Sequence, residues 1–174
     1  MNYNGWEKDY LAHKDVYDEL FEECMLAGEQ DVSTEFLDDE IAEISKRKYA
    51  VTCASATDGL QFALQAFGVG PGQEVLVPDF SWISSASAVS MVGATPVFCD
   101  IDENTHQITL DSVKRMVTEN TVAIIYPTLF GAMFPEIFAV ERWCRKRGIT
   151  FIEDSAQSLG VELNGTVAGS IGDI

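Results

Sequence analysis

The chain has 174 residues, of which 47% are hydrophobic, so it can bury one core and is globular rather than disordered or fibrous. Its net charge of −17 argues against nucleic acid or an anionic membrane as a partner, because phosphates would be repelled. It contains no apolar run of 18 residues and does not open with a signal-peptide pattern, so we expect no membrane span and a cytoplasmic location.

The first third of the chain predicts helices. Residues 1–14 carry aromatic residues without a clear period, and we expect an arm that packs on something else. Apolar spacing favours a first helix over residues 15–26, and Ser33 or Thr34 can cap a second helix. We therefore divide the chain into an N-terminal arm and helix, residues 1–32, and one larger unit, residues 33–174.

Strand and helix patterns alternate in that larger unit. This alternation indicates right-handed βαβ units and a mostly parallel sheet covered on both faces, an α/β fold with three α/β/α layers. Asn164-Gly165 between two short β-rich runs predicts a type I′ hairpin. The predicted strands are 49–53, 74–78, 95–99, 122–126 and 149–152, and the predicted helices are 60–67, 84–92, 110–117 and 134–147.

The cysteines do not indicate a metal site. They are widely spaced, no CxxC pair occurs, and only two histidines could help. Buried free thiols are the better interpretation, and we expect no metal. The four residues are Cys24, Cys53, Cys99 and Cys144.

An acidic residue follows the last predicted strand. Phe151 and Ile152 lead into Asp154, at the carboxyl end where open α/β sheets bind ligands. A buried carboxylate there needs a partner, such as a cationic ring nitrogen of a cofactor. Alternatively, Asp154 could merely start a helix. Gln157 could contact the same ligand or lie at the surface.

Two earlier turns also follow predicted strands. The small and hydroxyl residues of Ala54–Asp58 could cradle a phosphate at a helix N-terminus, or Ser55 or Thr57 could act as an ordinary N-cap. Trp82 could stack on a flat ligand or lie partly buried in the core. The carboxyl ends of parallel strands meet at one edge, so the three turns should lie together.

Five ordered motifs make the chain resemble a known family from about residue 32 onward. It is similar to the N-terminal part of a fold-type I pyridoxal-phosphate enzyme, specifically of the nucleotide-sugar aminotransferase (DegT/StrS) family. The motifs are Ser55-Ala-Thr-Asp-Gly-Leu-Gln-Phe-Ala-Leu64, Gly70-Pro-Gly-Gln-Glu-Val-Leu-Val-Pro78, Val92-Gly-Ala-Thr-Pro-Val-Phe-Cys-Asp-Ile-Asp102, Ala123-Ile-Ile-Tyr-Pro-Thr-Leu-Phe-Gly131 and Ile152-Glu-Asp-Ser-Ala-Gln-Ser-Leu-Gly160.

The resemblance implies a set of cofactor-binding residues for pyridoxal 5′-phosphate. Ala56 and Thr57 would hold the phosphate, and Trp82 would stack on the pyridine ring. Asp154 would pair with the protonated ring nitrogen, which keeps the ring an electron sink, and Gln157 would approach the 3-hydroxyl.

The sequence departs from the family in three places. The family usually has Gly where Ala56 stands, and often His where Thr128 stands. The catalytic lysine that forms the Schiff base is expected beyond Ile174, so no catalytic residue is assigned in this chain. We expect a large domain that is truncated at the C-terminus, with one strand edge left uncovered, in a fragment of a longer protein or a truncated product.

The resemblance also implies a function in carbohydrate biosynthesis. An amino group would move from an amino-acid donor, commonly glutamate, to a keto group of a nucleotide sugar, in a homodimer. One alternative is a truncated, non-catalytic module that binds pyridoxal phosphate or only pairs with a partner. Another is a sugar dehydratase of the same family. A plain Rossmann domain is disfavoured because no GxGxxG follows the first strand.

Overall fold

The N-terminal part is helical. The computed structural model describes residues 5–27 and 31–174. Of the predicted arm, residues 5–12 form a helix, and residues 1–4 lie outside the described part. The prediction that Ser33 or Thr34 caps the second predicted helix is wrong. That helix is the third in the structure, and it begins at Asp31 and so contains both residues. The helices are α1 (Gly5–Ala12), α2 (Lys14–Ala27) and α3 (Asp31–Ile44).

Strands and helices then alternate as the sequence predicts. Four strands and four helices follow one another, and a 3-10 turn at Leu129–Gly131 and a short hairpin complete the described elements. In chain order they are α4 (Ala56–Ala66), β1 (Glu74–Pro78), α5 (Ser84–Met91), β2 (Thr95–Cys99), α6 (Leu110–Met116), β3 (Thr121–Pro127), α7 (Glu136–Arg145), β4 (Thr150–Asp154), β5 (Glu162–Leu163) and β6 (Thr166–Val167).

The main sheet is parallel throughout and has a hydrophobic core on each face. Its strand order is β2-β1-β3-β4. One core packs α4 and α5 against alternate residues of the strands, such as Val75 and Ile125. The other packs α6 and α7 against the residues between them, such as Leu76 and Ile124. The predicted α/β fold with three layers and a mostly parallel sheet is therefore confirmed.

The predicted strand at 49–53 is wrong. This segment has no strand assignment, and the side chains of Tyr49 and Val51 are 74% and 86% exposed. Its β-branched and aromatic composition predicted a strand, but β propensity acts only where a neighbouring strand offers a ladder and a surface to pack on.

Three hydrogen bonds join β4, the outer strand of the described sheet, to Asp173 and Ile174. The Asp173 N–H donates to the Phe151 carbonyl at 2.8 Å, and the Glu153 N–H donates to the Ile174 carbonyl at 3.0 Å. The Asp173 carboxylate accepts the Phe151 N–H at 2.8 Å. The last residues of the chain thus satisfy backbone groups that an edge strand would otherwise expose.

The small hairpin has the predicted turn. β5 and β6 pair antiparallel around Asn164 and Gly165, whose φ angles are 53° and 79°. Positive φ at both central positions is the requirement of a type I′ turn. Across the helices that the structure describes, none has the length and apolarity needed to cross a bilayer.

The strand order creates a crevice at the carboxyl edge of the sheet. From β1 the chain passes through α5 on one face to β2, whereas from β3 it passes through α7 on the other face to β4. The two connections therefore diverge between β1 and β3. This divergence leaves an opening that the loops after the strands can line.

Candidate functional site

A cleft of about 430 Å³ opens at this carboxyl edge. It brings together all five residues that the sequence singled out, although they come from the start of α4, the loop after β1, the last residue of β4 and the loop that follows it. The lining residues are Ala56, Thr57, Trp82, Ser84, Pro127, Thr128, Leu129, Asp154, Ala156 and Gln157.

The N-terminus of α4 forms one wall of the cleft. Ser55 is the N-cap, with extended backbone, and its hydroxyl oxygen accepts the Asp58 N–H at 3.2 Å. The N–H groups of Ala56 and Thr57 belong to the first turn, where an α-helix has no carbonyl to receive them. The N-cap interpretation therefore holds for Ser55, and it leaves two donors at the cleft for an anion.

Trp82 lies at the cleft and not in the core. Its side chain is 68% exposed, so the alternative of a partly buried core residue is wrong. Ser84, which also lines this wall, is buried at the start of α5. The indole ring is thus a large flat apolar surface that the fold leaves available to a ligand.

Asp154 is the only carboxylate that lines this cleft in the described part of the chain. Its Oδ1 accepts the Ala156 N–H at 3.2 Å. Burial raises the pKa of this carboxyl, and the hydrogen bond from Ala156 offsets part of the rise. Within residues 5–27 and 31–174, no ion pair involves Asp154. A cationic ligand would supply the missing partner.

This raised pKa predicts a pH dependence of stability. A native state that holds the Asp154 proton more tightly than the unfolded state is stabilised below the ordinary pKa of 3.8 and loses that contribution as pH rises through the native pKa. We expect the free energy of unfolding of Asp154→Asn, minus that of wild type, to increase with pH in urea titrations from about pH 3 to 7. A flat difference for Asp154→Asn would contradict the prediction.

Gln157 is held by the loop after β3. Its Oε1 accepts the Phe130 N–H at 2.7 Å, so its amide N–H groups remain available as donors. Phe130 has a φ of 59°, and a Cβ built on Gly131, whose φ is 73°, would lie 3.3 Å from the Gln157 carbonyl. The close approach and left-handed backbone of this loop hold Gln157 at the cleft, where the residue is also exposed, so the cleft and surface positions predicted from sequence coincide.

Sequence reasoning missed part of the wall, including Ser84, Pro127 and Leu129. Thr128 entered only as a departure from the family, yet it is buried and joins two loops. Its N–H and hydroxyl donate to the Asp154 carbonyl at 3.1 and 3.3 Å, and its hydroxyl also bonds Ser158. Position along the chain could have identified this part of the wall, because Pro127 ends β3 at the same edge of the sheet as Asp154.

The chemistry of these residues fits a flat cationic ring that carries a phosphate. Free helix N–H groups suit the phosphate, an exposed indole suits the ring face, and a carboxylate without an ion-pair partner among the described residues suits a protonated ring nitrogen. Pyridoxal phosphate combines all three features, and a sheet of this kind with its ligand at the carboxyl edge defines the large domain of the fold-type I transferases.

The chain belongs to the DegT/DnrJ/EryC1/StrS aminotransferase family, whose sequence pattern matches residues 19–174. It is 44% identical, over 140 residues, to the UDP-N-acetyl-3-dehydro-alpha-D-glucosamine 3-aminotransferase of Acidithiobacillus ferrooxidans. That match covers 79% of this chain and 37% of the relative, so the chain spans little more than a third of the relative's length.

Solved structures of the same class share the fold. The crystal structure of DesV from S. venezuelae superposes with a TM-score of 0.90 at 29% identity, covering 94% of this chain and 44% of that one. A putative sugar aminotransferase from Streptococcus pneumoniae, in its PLP form, gives a TM-score of 0.73 at 32% identity. That match covers 80% of this chain and 39% of that one. The fold is that of the pyridoxal-phosphate-dependent aminotransferases.

Proposed function

We propose that this chain is the N-terminal part of a pyridoxal-phosphate-dependent aminotransferase that acts on a keto nucleotide sugar. The observation that carries the proposal is Asp154, a carboxylate without an ion-pair partner in the described chain, in a cleft that also holds the free N–H groups of α4. When bound, the cofactor supplies an electron-withdrawing ring that stabilises the carbanion formed as the amino-acid substrate loses its α-proton.

The N-terminus of α4 is proposed to bind the cofactor phosphate. The N–H groups of Ala56 and Thr57 and the Thr57 hydroxyl are the donors, and the positive end of the helix dipole favours the anion. The methyl group of Ala56 stands where the family usually has Gly. It limits how closely the backbone can approach the phosphate and leaves the N–H free to donate.

The other three residues are proposed to hold the ring. Trp82 would cover one face of it, and Asp154 would accept a hydrogen bond from the protonated ring nitrogen. Gln157 would donate from its amide N–H group toward the 3-hydroxyl, because its side-chain oxygen already accepts the Phe130 N–H. The ring would then lose water on one face while its nitrogen stays protonated beside a carboxylate.

The chain's own lysines do not supply the Schiff-base group in this proposal. In the part of the chain that the structure describes, no lysine lines the cleft. The family resemblance implies a lysine beyond Ile174, and Ile174 lies in a second cleft of about 490 Å³ that also includes Ala56 and Asp154. The proposed substrates are an amino-acid donor, glutamate by resemblance, and the keto sugar nucleotide, and the proposed assembly is a homodimer.

The first test is a titration of the purified chain with pyridoxal phosphate, followed by absorbance and equilibrium dialysis. We expect saturable binding that Trp82→Ala weakens by about tenfold, because ring stacking contributes about 0.5–1.5 kcal/mol beyond buried area. Trp82→Phe should keep most of the affinity, since a flat ring remains. Phe98→Ala removes another exposed aromatic side chain that does not line the cleft, and it should have no effect.

Borohydride reduction and intact mass complete the experiment. Binding without a covalent adduct supports a cofactor site whose lysine lies outside these 174 residues, and a homogeneous adduct at one of the chain's lysines would overturn that assignment. Equal weakening by Trp82→Ala and Phe98→Ala, or no saturable binding by the wild-type chain, would contradict the proposed site.

A further inference from the structure

A buried carboxylate next to Asp154 holds a loop near the end of the chain. Glu153 is 8% exposed, and its oxygens accept the N–H groups of Gly169 at 2.7 Å, Ile171 at 2.8 Å and Gly172 at 3.2 Å. Three backbone donors that converge on one anion form a nest of the kind that binds phosphates and carboxylates. They satisfy a charge that would otherwise be costly to bury.

The same loop is bonded from its other side by a cation. Nε of Arg47 donates to the Gly169 carbonyl at 2.7 Å, and Nη2 donates to the Gly172 carbonyl at 2.6 Å. The planar guanidinium makes two bonds in a fixed geometry that an ammonium group cannot reproduce. The loop thus presents N–H groups to Glu153 and carbonyl groups to Arg47, which orients its peptide dipoles between opposite charges.

The loop also lies unusually close to β4. A Cβ built on Gly172 would lie 2.6 Å from the Ile174 carbonyl oxygen and 2.8 Å from the Phe151 carbonyl oxygen. Only glycine fits such an approach. Beyond it, Asp173 and Ile174 bond the backbone of β4, so the segment 169–174 is fixed to the strand that ends in Asp154.

We propose that Glu153 and Arg47 are positioning residues that clamp segment 169–174 to the edge of β4 and thereby fix the Asp154 carboxylate at the cleft. The clamp also holds Ile174 in place, and Ile174 lines the second cleft together with Asp154. This inference rests on the proposed function, because Asp154 is the residue that would meet the cofactor ring.

The test is the titration of the Asp154 carboxyl, followed by carbon NMR in the ligand-free chain. Loss of the positive charge of Arg47 alone can only raise the Asp154 pKa, because removing a cation never favours the carboxylate. Release of the strand end would lower it, because the raised pKa comes from burial. The two effects have opposite signs, so Arg47→Gln separates positioning from simple electrostatics.

Lys48→Gln is the matched control, since it removes the neighbouring positive charge, which lies over the Tyr49 ring and does not bond the loop. We expect a lower Asp154 pKa in Arg47→Gln than in Lys48→Gln.

We also expect the amides of Gly169, Ile171 and Gly172 to exchange about tenfold faster or more in Glu153→Gln, because three hydrogen bonds to a charged acceptor are weakened. Glu162→Gln, at an exposed site on β5, should leave both readouts unchanged.

Gly172→Ala tests the clamp without changing any charge. Its methyl group should push the segment from β4, lower the Asp154 pKa and speed the same amides. An Asp154 pKa in Arg47→Gln equal to or above that in Lys48→Gln would overturn the clamp. These readouts need no cofactor, so failure of the wild-type chain to bind pyridoxal phosphate would refute the proposed function and not the clamp.

Discussion

Replacing Asp154 by Asn should weaken the binding of pyridoxal phosphate by about 10- to 150-fold, the equivalent of about 1.5–3 kcal/mol for a hydrogen bond to a charged group. The amide keeps the shape of the side chain but cannot balance the charge of a protonated ring nitrogen. The loss should therefore appear in affinity and in the absorbance of the bound cofactor. Equilibrium dialysis at neutral pH measures it directly.

The same substitution separates binding from folding. Asn carries no charge to desolvate, so the ligand-free variant should be at least as stable as wild type at neutral pH, and weaker binding cannot be ascribed to unfolding. Asp102→Asn is a useful control, because Asp102 lies outside the cleft and bonds its own turn, accepting the N–H groups of Asn104 and Thr105. Unchanged cofactor affinity in Asp154→Asn would contradict its assigned role.

Replacing Ala56 by Asp should reduce cofactor affinity by about 100-fold, because two unit charges about 5 Å apart repel by about 3 kcal/mol at an effective dielectric constant of 20. An acid in the first turn of a helix adds about 0.3–1 kcal/mol of stability through the helix dipole. The variant should thus fold as well as wild type or slightly better, while a phosphate is excluded. Thermal unfolding and dialysis with pyridoxal phosphate measure the two effects.

Gln65→Glu provides the matched charge change on the same helix. Residue 65 is exposed in the last turn of α4, about 13 Å along the axis from residue 56, which exceeds the Debye length of about 8 Å at physiological salt. We expect less than a twofold change in affinity for this variant. Equal losses in both variants would indicate a general charge effect and would remove the case for a phosphate site at the α4 N-terminus.

The order and type of the regular elements could be predicted from sequence because periodicity reports burial. The strands around Val75 and Ile124 are continuous apolar runs, as a sheet covered on both faces requires. The strand at 49–53 could not be rejected in this way. Its composition suits a strand, and only the absence of a pairing partner in the described structure keeps it irregular.

The site was partly predictable for a different reason. Asp154 and Trp82 follow strands, and parallel strands bring their carboxyl ends to one edge, so position along the chain implied proximity in space. Contacts between loops gave no such signal. The bond between Gln157 and Phe130 depends on a left-handed residue, and the nest around Glu153 depends on a loop that returns after the hairpin.

The walls of the cleft come from segments far apart in the sequence, from Ala56 at one extreme to Gln157 at the other. Contacts of such long separation form late, because their loop-closure entropy must be met first. During synthesis, therefore, the cleft cannot assemble until the loop after β4 has left the ribosome. A cofactor that binds there can stabilise only a chain that already includes the loop after β4, so supplying it should raise the yield of folded chain by slowing unfolding, and should leave the early steps of folding unchanged.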